Sequence, residues 1–186
     1  MQTASVPYTY EYPRPAVTVD AVLGTAGPRG DLRILLIQRK FDPFQESWAL
    51  PGGFVDEHED LAVAARREML EETGVDLERI LQLGAYGTPH RDPRGHTVGV
   101  AFLAMCAPDE LVFEAGDDAQ DCRWFSAKRP PRLAFDHKDI VRDARRAFAR
   151  IAARRTEFVE TFFGPRRARA IGNTGLAALR RAARDA

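Results

Sequence analysis

Residues 53–75 read GFVDEHEDLAVAARREMLEETGV, and the centre of this stretch has the period of a helix. Leu61, Ala64, Ala65 and Met69 recur at steps of three and four, acids crowd the first turn, and Gly74 supplies a stop. The spacing predicts a helix over 59–73. On that helix Glu68, Glu71 and Glu72 stand at i, i+3 and i+4, so their carboxylates share one face, a turn apart. Like charges so placed cost about 0.2–0.5 kcal/mol per pair, which stability alone would not select. A divalent cation would cancel the repulsion. Hard carboxylate oxygens with no His or Cys at ligand spacing suit Mg²⁺ or Mn²⁺ better than Zn²⁺. Immediately before the helix, Leu50-Pro51-Gly52-Gly53 pairs two glycines, which let backbone approach a ligand or leave a carbonyl open to a metal. A simple turn and a solvated charged face are the plainer readings of the two features taken singly.

Outward from this stretch, Ala16–Leu23 and Leu32–Gln38 are rich in β-branched and aliphatic side chains, and the turn residues between them make a strand, turn, strand unit. After the helix, Arg79–Gly87 and His96–Cys106 read as strands separated by the turn-rich RDPRG, with shorter strands at Leu111–Phe113 and Cys122–Phe125. Asp136 is placed to cap a helix whose apolar residues are Ile140, Ala144, Ala147, Phe148 and Ile151. Gly164-Pro165 breaks the chain, and a short amphipathic helix follows from about Gly175. Helices that do not alternate regularly with strands do not resemble a doubly wound sheet and point to an α+β or α-β-α sandwich architecture. Three segments result: an irregular arm over 1–15, a domain over 16–155 and a basic extension over 156–186.

The 186 residues are 45% hydrophobic and 29% charged, the composition of a globular domain rather than a disordered or disulfide-scaffold chain. The longest apolar run, Val98–Ala107, is half of what a membrane span needs, and no secretory signal is read at the N-terminus. Two cysteines in a domain of this size imply a reducing compartment, so a cytoplasmic location is expected. The net charge of zero hides an asymmetry: 13 Lys and Arg face 5 Asp and Glu from residue 138 onward, against 14 and 22 before it. A basic tail for an anionic partner and a helix packed on the domain or on a second subunit both fit, and the apolar stripe from Ile140 favours packing.

The residues Gly53, Glu59, Arg67, Glu68, Met69, Glu71, Glu72, Gly74 and Val75 fit the pattern G-x5-E-x7-R-E-U-x-E-E-x-G-U, U being apolar, with no departure. The stretch resembles the Nudix box, and the flanking strands resemble that family's α+β fold, an α-β-α sandwich with a mixed β-sheet. The resemblance implies Mg²⁺-dependent (or Mn²⁺-dependent) hydrolysis of a nucleoside diphosphate linked to another moiety. It makes Glu68 and Glu72 principal metal ligands, Glu71 a further one and the Gly53 carbonyl a contributor, with these glutamates also catalytic. Arg67 and Glu59 would brace loop against helix. The base is expected from the box, as Glu68, or from the later acidic loop, as Glu114 or Asp118.

The strings FDPFQESWALPGGFV, RDPRGHTVGVAFLA and LAFDHKDI are similar to Nudix proteins of the bacterial ADP-ribose pyrophosphatase type. That subgroup would convert ADP-ribose to AMP and ribose 5-phosphate. Arg39, Arg91 and Arg94 are the expected substrate-binding residues, since a guanidinium offers bidentate donors to phosphate. Phe44, Phe54 or Tyr86 would stack on adenine. Trp48 reads as a core anchor, and the histidines as solvated or capping. Two alternatives stand beside this one: a pyrophosphohydrolase that removes damaged nucleoside triphosphates of the 8-oxo-dGTP type, and a non-catalytic ADP-ribose sensor whose basic tail binds DNA. The intact box and the shortness of the tail oppose the sensor, so a nucleic-acid partner is not expected, and a homodimer is.

Overall fold

The computed structural model describes residues 9–107 and 119–186. The strand expected at Leu111–Phe113, and Glu114 and Asp118, lie outside the described residues. The elements are β1 (Ala16–Ala26), β2 (Leu32–Arg39), β3 (Trp48–Ala49), β4 (Gly52–Phe54), α1 (Leu61–Thr73), β5 (Leu81–Tyr86) and β6 (Thr97–Met105). They continue with β7 (Ala119–Ser126), α2 (His137–Ala152), α3 (Arg155–Phe162) and α4 (Gly164–Arg184).

The strands form one mixed sheet. β1 runs parallel to β6 along its length, from Ala16 beside Thr97 to Gly24 beside Met105. The other strand-to-strand pairings among the described residues are antiparallel. On its other edge β1 changes partner: Thr18–Asp20 pair with β4, whereas Gly24–Ala26 pair with β2. The ladder therefore forks, and among the described residues β2 and β4 diverge around a gap that no strand fills.

Alternation along β1 sends side chains into both layers. Val22, with Leu36 and Leu103, meets Ile140, Phe148 and Leu179 of α2 and α4. Leu23, Leu35 and Ile37 meet Met69 of α1 from the other face, and Val19 meets Ala64 and Ala65. The result is a sheet between helical layers. Among the described residues no helix is long and apolar enough to cross a membrane.

Three helical expectations need correction. α1 begins at Leu61, one residue after its true N-cap: Asp60 Oδ1 accepts the N–H groups of Ala62 (2.8 Å) and Val63 (3.3 Å), and the first turn contains no acid. At its other end Gly74 adopts φ 71° and donates its N–H to Leu70 O, a left-handed C-cap. Asp136 precedes α2 but makes no side-chain cap bond, because its carboxylate holds Arg91 instead. The tail is not one short helix: α3 and α4 meet at Gly164, and α4 is interrupted at Gly172 (φ 72°, ψ 168°). Phe158, Phe162, Leu176 and Leu179 are buried in the same core as α2, so 156–186 belong to the packed body. Arg180 donates to Ala152 O (2.7 Å) and Ala153 O (3.1 Å), ending α2.

Candidate active site

The box helix lies against β4, and Arg67 ties the two together. Its Nε and one terminal nitrogen each donate to Glu59 at 2.8 Å, a bidentate pair. It also reaches Phe54 O at 3.1 Å. Glu59 further accepts the Asp56 N–H at 3.0 Å. The hydrogen bonds from Arg67, then that from Asp56, hold the Glu59 carboxyl down to about 2. This is the bracing pair expected from the sequence.

Glu68 and Glu72 point from α1 toward the Gly52–Gly53 strand. Glu72 Oε2 accepts the Gly52 N–H at 2.8 Å. Glu68 rests on the α-carbon of Gly53: a Cβ there would lie 2.4 Å from Glu68 Oε1. A Cβ on Gly52 would lie 2.1 Å from the Val19 carbonyl oxygen, so neither glycine admits a side chain without displacement. Burial pushes the Glu68 carboxyl up, against the opposing pull of Arg67, whose terminal nitrogen stands 2.7 Å away. Glu71 is 57% exposed at its side chain and accepts from the same Arg67 nitrogen at 3.2 Å. The helix thus brings Glu68 and Glu72 together and leaves Glu71 at the rim.

The carbonyl assigned to Gly53 faces elsewhere. Ala21 N donates to Pro51 O, and Val55 N to Val17 O, so alternation makes Val19 and Gly53 the hydrogen-bonded pair between them. Gly53 is engaged by β1. Gly52 turns its N–H to Glu72, and its carbonyl lies on that same side of the strand. The carbonyl beside the carboxylates is that of Gly52.

These donors fit a hard divalent cation. Among the described residues no three His, Cys, Asp or Glu side chains converge to hold a metal by themselves. Two carboxylates and a carbonyl with waters completing the shell suit Mg²⁺, which dehydrates reluctantly.

A cavity of about 400 Å³ opens beside the carboxylates, lined by Glu68, Glu72, Arg67, Gly53, Phe54, Lys40, Arg39 and Arg94. It lies in the gap left where β2 and β4 part, and a second pocket containing Asp20, Arg91, Asp92, Phe135 and His137 shares its wall. Arg39 is fixed by donation to Pro43 O (2.8 Å) and stands 5.0 Å from the Phe135 ring centre. Arg94, 40% exposed, is paired with Asp92 and lies over Phe54 (4.8 Å) and Phe135 (5.4 Å). Burial of Asp92 raises its pKa, and the Arg94 hydrogen bonds outweigh this and lower it.

Arg91 lines the second pocket together with Arg39 and Arg94 but not the cavity beside the carboxylates. Its side chain is 5% exposed, and it donates to both oxygens of Asp136, at 2.8 and 2.6 Å. Burial lowers its pKa, and the Asp136 bonds raise it by more. Arg91 is an internal brace rather than a free phosphate ligand. Of the aromatic candidates, Phe54 faces the cavity and Phe44 packs edge-on against Phe135 at 4.9 Å. Tyr86 faces α2, where its hydroxyl donates to Asp143 at 3.4 Å. Trp48, expected as a core anchor, is half-buried and packs against the edge of the core, edge-on to Phe125 at 4.5 Å. Sequence reasoning missed Asp20 and Phe135, and read His137 as solvated or capping, whereas it is buried and bonded to Leu50 and Asp20. The signal was an Asp inside the apolar strand VTVDAVLG, since a buried charge demands partners.

Comparison with known proteins agrees with this geometry. The NUDIX domain family model matches residues 13–144. The chain is 43% identical over 132 residues to an ADP-ribose pyrophosphatase of Methanocaldococcus jannaschii, covering 71% of this chain and 74% of that protein. It is 38% identical over 149 residues to the ADPR responsive transcriptional repressor NtrR of Acinetobacter baylyi, covering 76% of this chain but 56% of the repressor. A MutT/nudix family protein from Enterococcus faecalis superposes with TM-score 0.70 and 32% identity, over 92% of this chain and 83% of that one. The NUDIX domain of Shewanella oneidensis NrtR, solved with ADP ribose, superposes with TM-score 0.66 and 34% identity, over 73% and 90%. A family match spanning most of the chain, together with a complete box folded onto its Gly-Gly strand, gives one conclusion: the chain belongs to the Nudix family and is a Nudix hydrolase.

Proposed function

We propose that the chain hydrolyses ADP-ribose to AMP and ribose 5-phosphate. The observation that carries this is the pair Glu68 and Glu72, set against the Gly52–Gly53 strand at one side of a cleft that Arg39 and Arg94 border. Identity of 43% to an ADP-ribose pyrophosphatase supports the substrate.

In this reading Glu68, Glu72 and the Gly52 carbonyl hold Mg²⁺ or Mn²⁺, with Glu71 at the rim as a further ligand. Such an ion would supply charge neutralisation of the diphosphate and activation of water at neutral pH. Arg39 and Arg94 bind the phosphates, and their guanidiniums, already fixed by Pro43 and Asp92, lose little freedom in doing so. Phe54 offers a face to the base or ribose. Water attacks one phosphorus, the P–O bond of the anhydride breaks, and the attacking water gives its proton to a carboxylate. That base is Glu68, or Glu114 or Asp118 of the loop. The pH–rate profiles of Glu68→Gln, Glu114→Gln and Asp118→Asn separate them, since only the base variant loses the acidic limb.

The test is Mg²⁺-dependent turnover of ADP-ribose, NADH, ADP-glucose, dGTP and 8-oxo-dGTP, with products identified by mass. ADP-ribose is expected to lead, giving AMP and ribose 5-phosphate in equal amounts; preference for a triphosphate overturns the substrate. The likeness to NtrR and NrtR motivates a second reading, ADP-ribose sensing. Binding of ADP-ribose without turnover, together with salt-sensitive DNA binding, would establish it instead.

A further inference from the structure

Four consecutive residues before and at the start of α2 each touch a different part of the site. The Ala134 N–H donates to Trp48 O at 2.8 Å. Phe135, at φ 50°, lies under the guanidiniums of Arg39 and Arg94. Asp136 takes Arg91. The His137 ring reaches the strand of paired glycines: its Nδ1 accepts the Leu50 N–H at 2.9 Å.

His137 is 4% exposed. A ring nitrogen that accepts carries no proton, so the ring proton sits on Nε2, which stands 3.2 Å from Asp20 Oδ1. Asp20 is also buried, and its second oxygen is 3.9 Å from Arg91, which Asp136 holds. The contacts close a circuit from α2 through β1 and the 88–96 loop back to α2. Beyond Leu50 the backbone is pinned twice more: Pro51 O accepts from Ala21 N at 2.8 Å, and the Gly52 N–H donates to Glu72 at 2.8 Å.

We propose that His137, oriented by Asp20, is a positioning residue of this hydrolase: by holding the Leu50 N–H it fixes the Gly52 peptide, and through it the Glu72 carboxylate, for a divalent cation. The inference rests on Glu72 as a metal ligand and is independent of which nucleotide is cleaved. Partners that orient metal-binding groups from behind typically change metal affinity by about 10–100-fold when removed.

The test is Mn²⁺ binding to the full chain, read from the free-ion electron paramagnetic resonance signal without nucleotide, for His137→Asn and His137→Gln. Asn puts an oxygen where Nδ1 stands and keeps an acceptor for Leu50, whereas Gln puts an amide nitrogen where Nε2 stands and keeps only the bond to Asp20. The expected result is a Mn²⁺ affinity within about threefold of the parent for Asn and about tenfold weaker for Gln. Equal affinities in both variants overturn the proposal, as does a loss in each that follows its melting temperature. If either variant does not fold, Asp20→Asn and Asp20→Ala carry the test: Asn retains an acceptor for Nε2–H and should bind Mn²⁺ within about threefold of the parent, Ala leaves the ring unheld and should bind about tenfold more weakly, and equal affinities in the two refute the route through the ring. A parent chain that binds no Mn²⁺ would instead refute the metal assignment of Glu72.

Discussion

Glu59 and Arg67 are where single side chains speak most plainly. Because the folded Glu59 is held near 2, below its ordinary 4.5, its pairing stabilises the fold above the unfolded value and is lost as pH falls from about 4.5 toward 2. Glu59→Gln should therefore lower the melting temperature at pH 7 by a margin that closes by pH 2, measured by calorimetry at both. Glu72→Gln keeps an acceptor for the Gly52 N–H while removing charge, so the fold should persist while turnover falls by about 10²–10³. Unchanged turnover would remove Glu72 from the site. Arg94→Ala should raise KM more than it lowers kcat, as expected for a group that binds ground and transition states alike. The box residues were legible because their spacing is local. Arg91 and His137 were not, because what distinguishes an internal brace from a phosphate ligand is a partner 45 residues away, Asp136 for Arg91, or 87 away, Leu50 for His137.

Elements were legible to the extent that their endings are written locally. Gly74 announces the end of α1 because only a residue at ease with φ 71° can sit there, and Gly74→Ala should cost about 1 kcal/mol in urea unfolding. The start was misplaced because Glu59 counted as a first-turn acid, although it serves Arg67 and leaves capping to Asp60. The tail was harder. Its arginine-rich composition obscures Phe158 and Phe162, whose rings lie 5.5 Å apart under α2. Phe162→Ala should destabilise the protein by about 3–5 kcal/mol, measured by urea unfolding.

At the scale of the molecule, the split between an acidic front and a basic back does not divide it into two bodies. Several tail arginines have internal work: Arg180 ends α2 and Arg155 bonds Asn173 at 3.1 Å. A chain cut after residue 155 would lose several buried anchors, each worth a few kcal/mol, against a total stability of about 5–15 kcal/mol. It should not fold, and a cooperative thermal transition in that fragment would show otherwise. The helical layers around a sheet followed from the order of elements and the mixed sheet from the resemblance, yet the fork in β1 followed from neither, since a strand's change of partner leaves no mark on its own residues. That fork has an evolutionary consequence. Among the described residues no strand pairing joins β2 to β4 across the cleft, so insertions in 40–47 or 88–96 could retool recognition while the sheet and its carboxylates stay in register, and one architecture could be handed from substrate to substrate by changing loops alone.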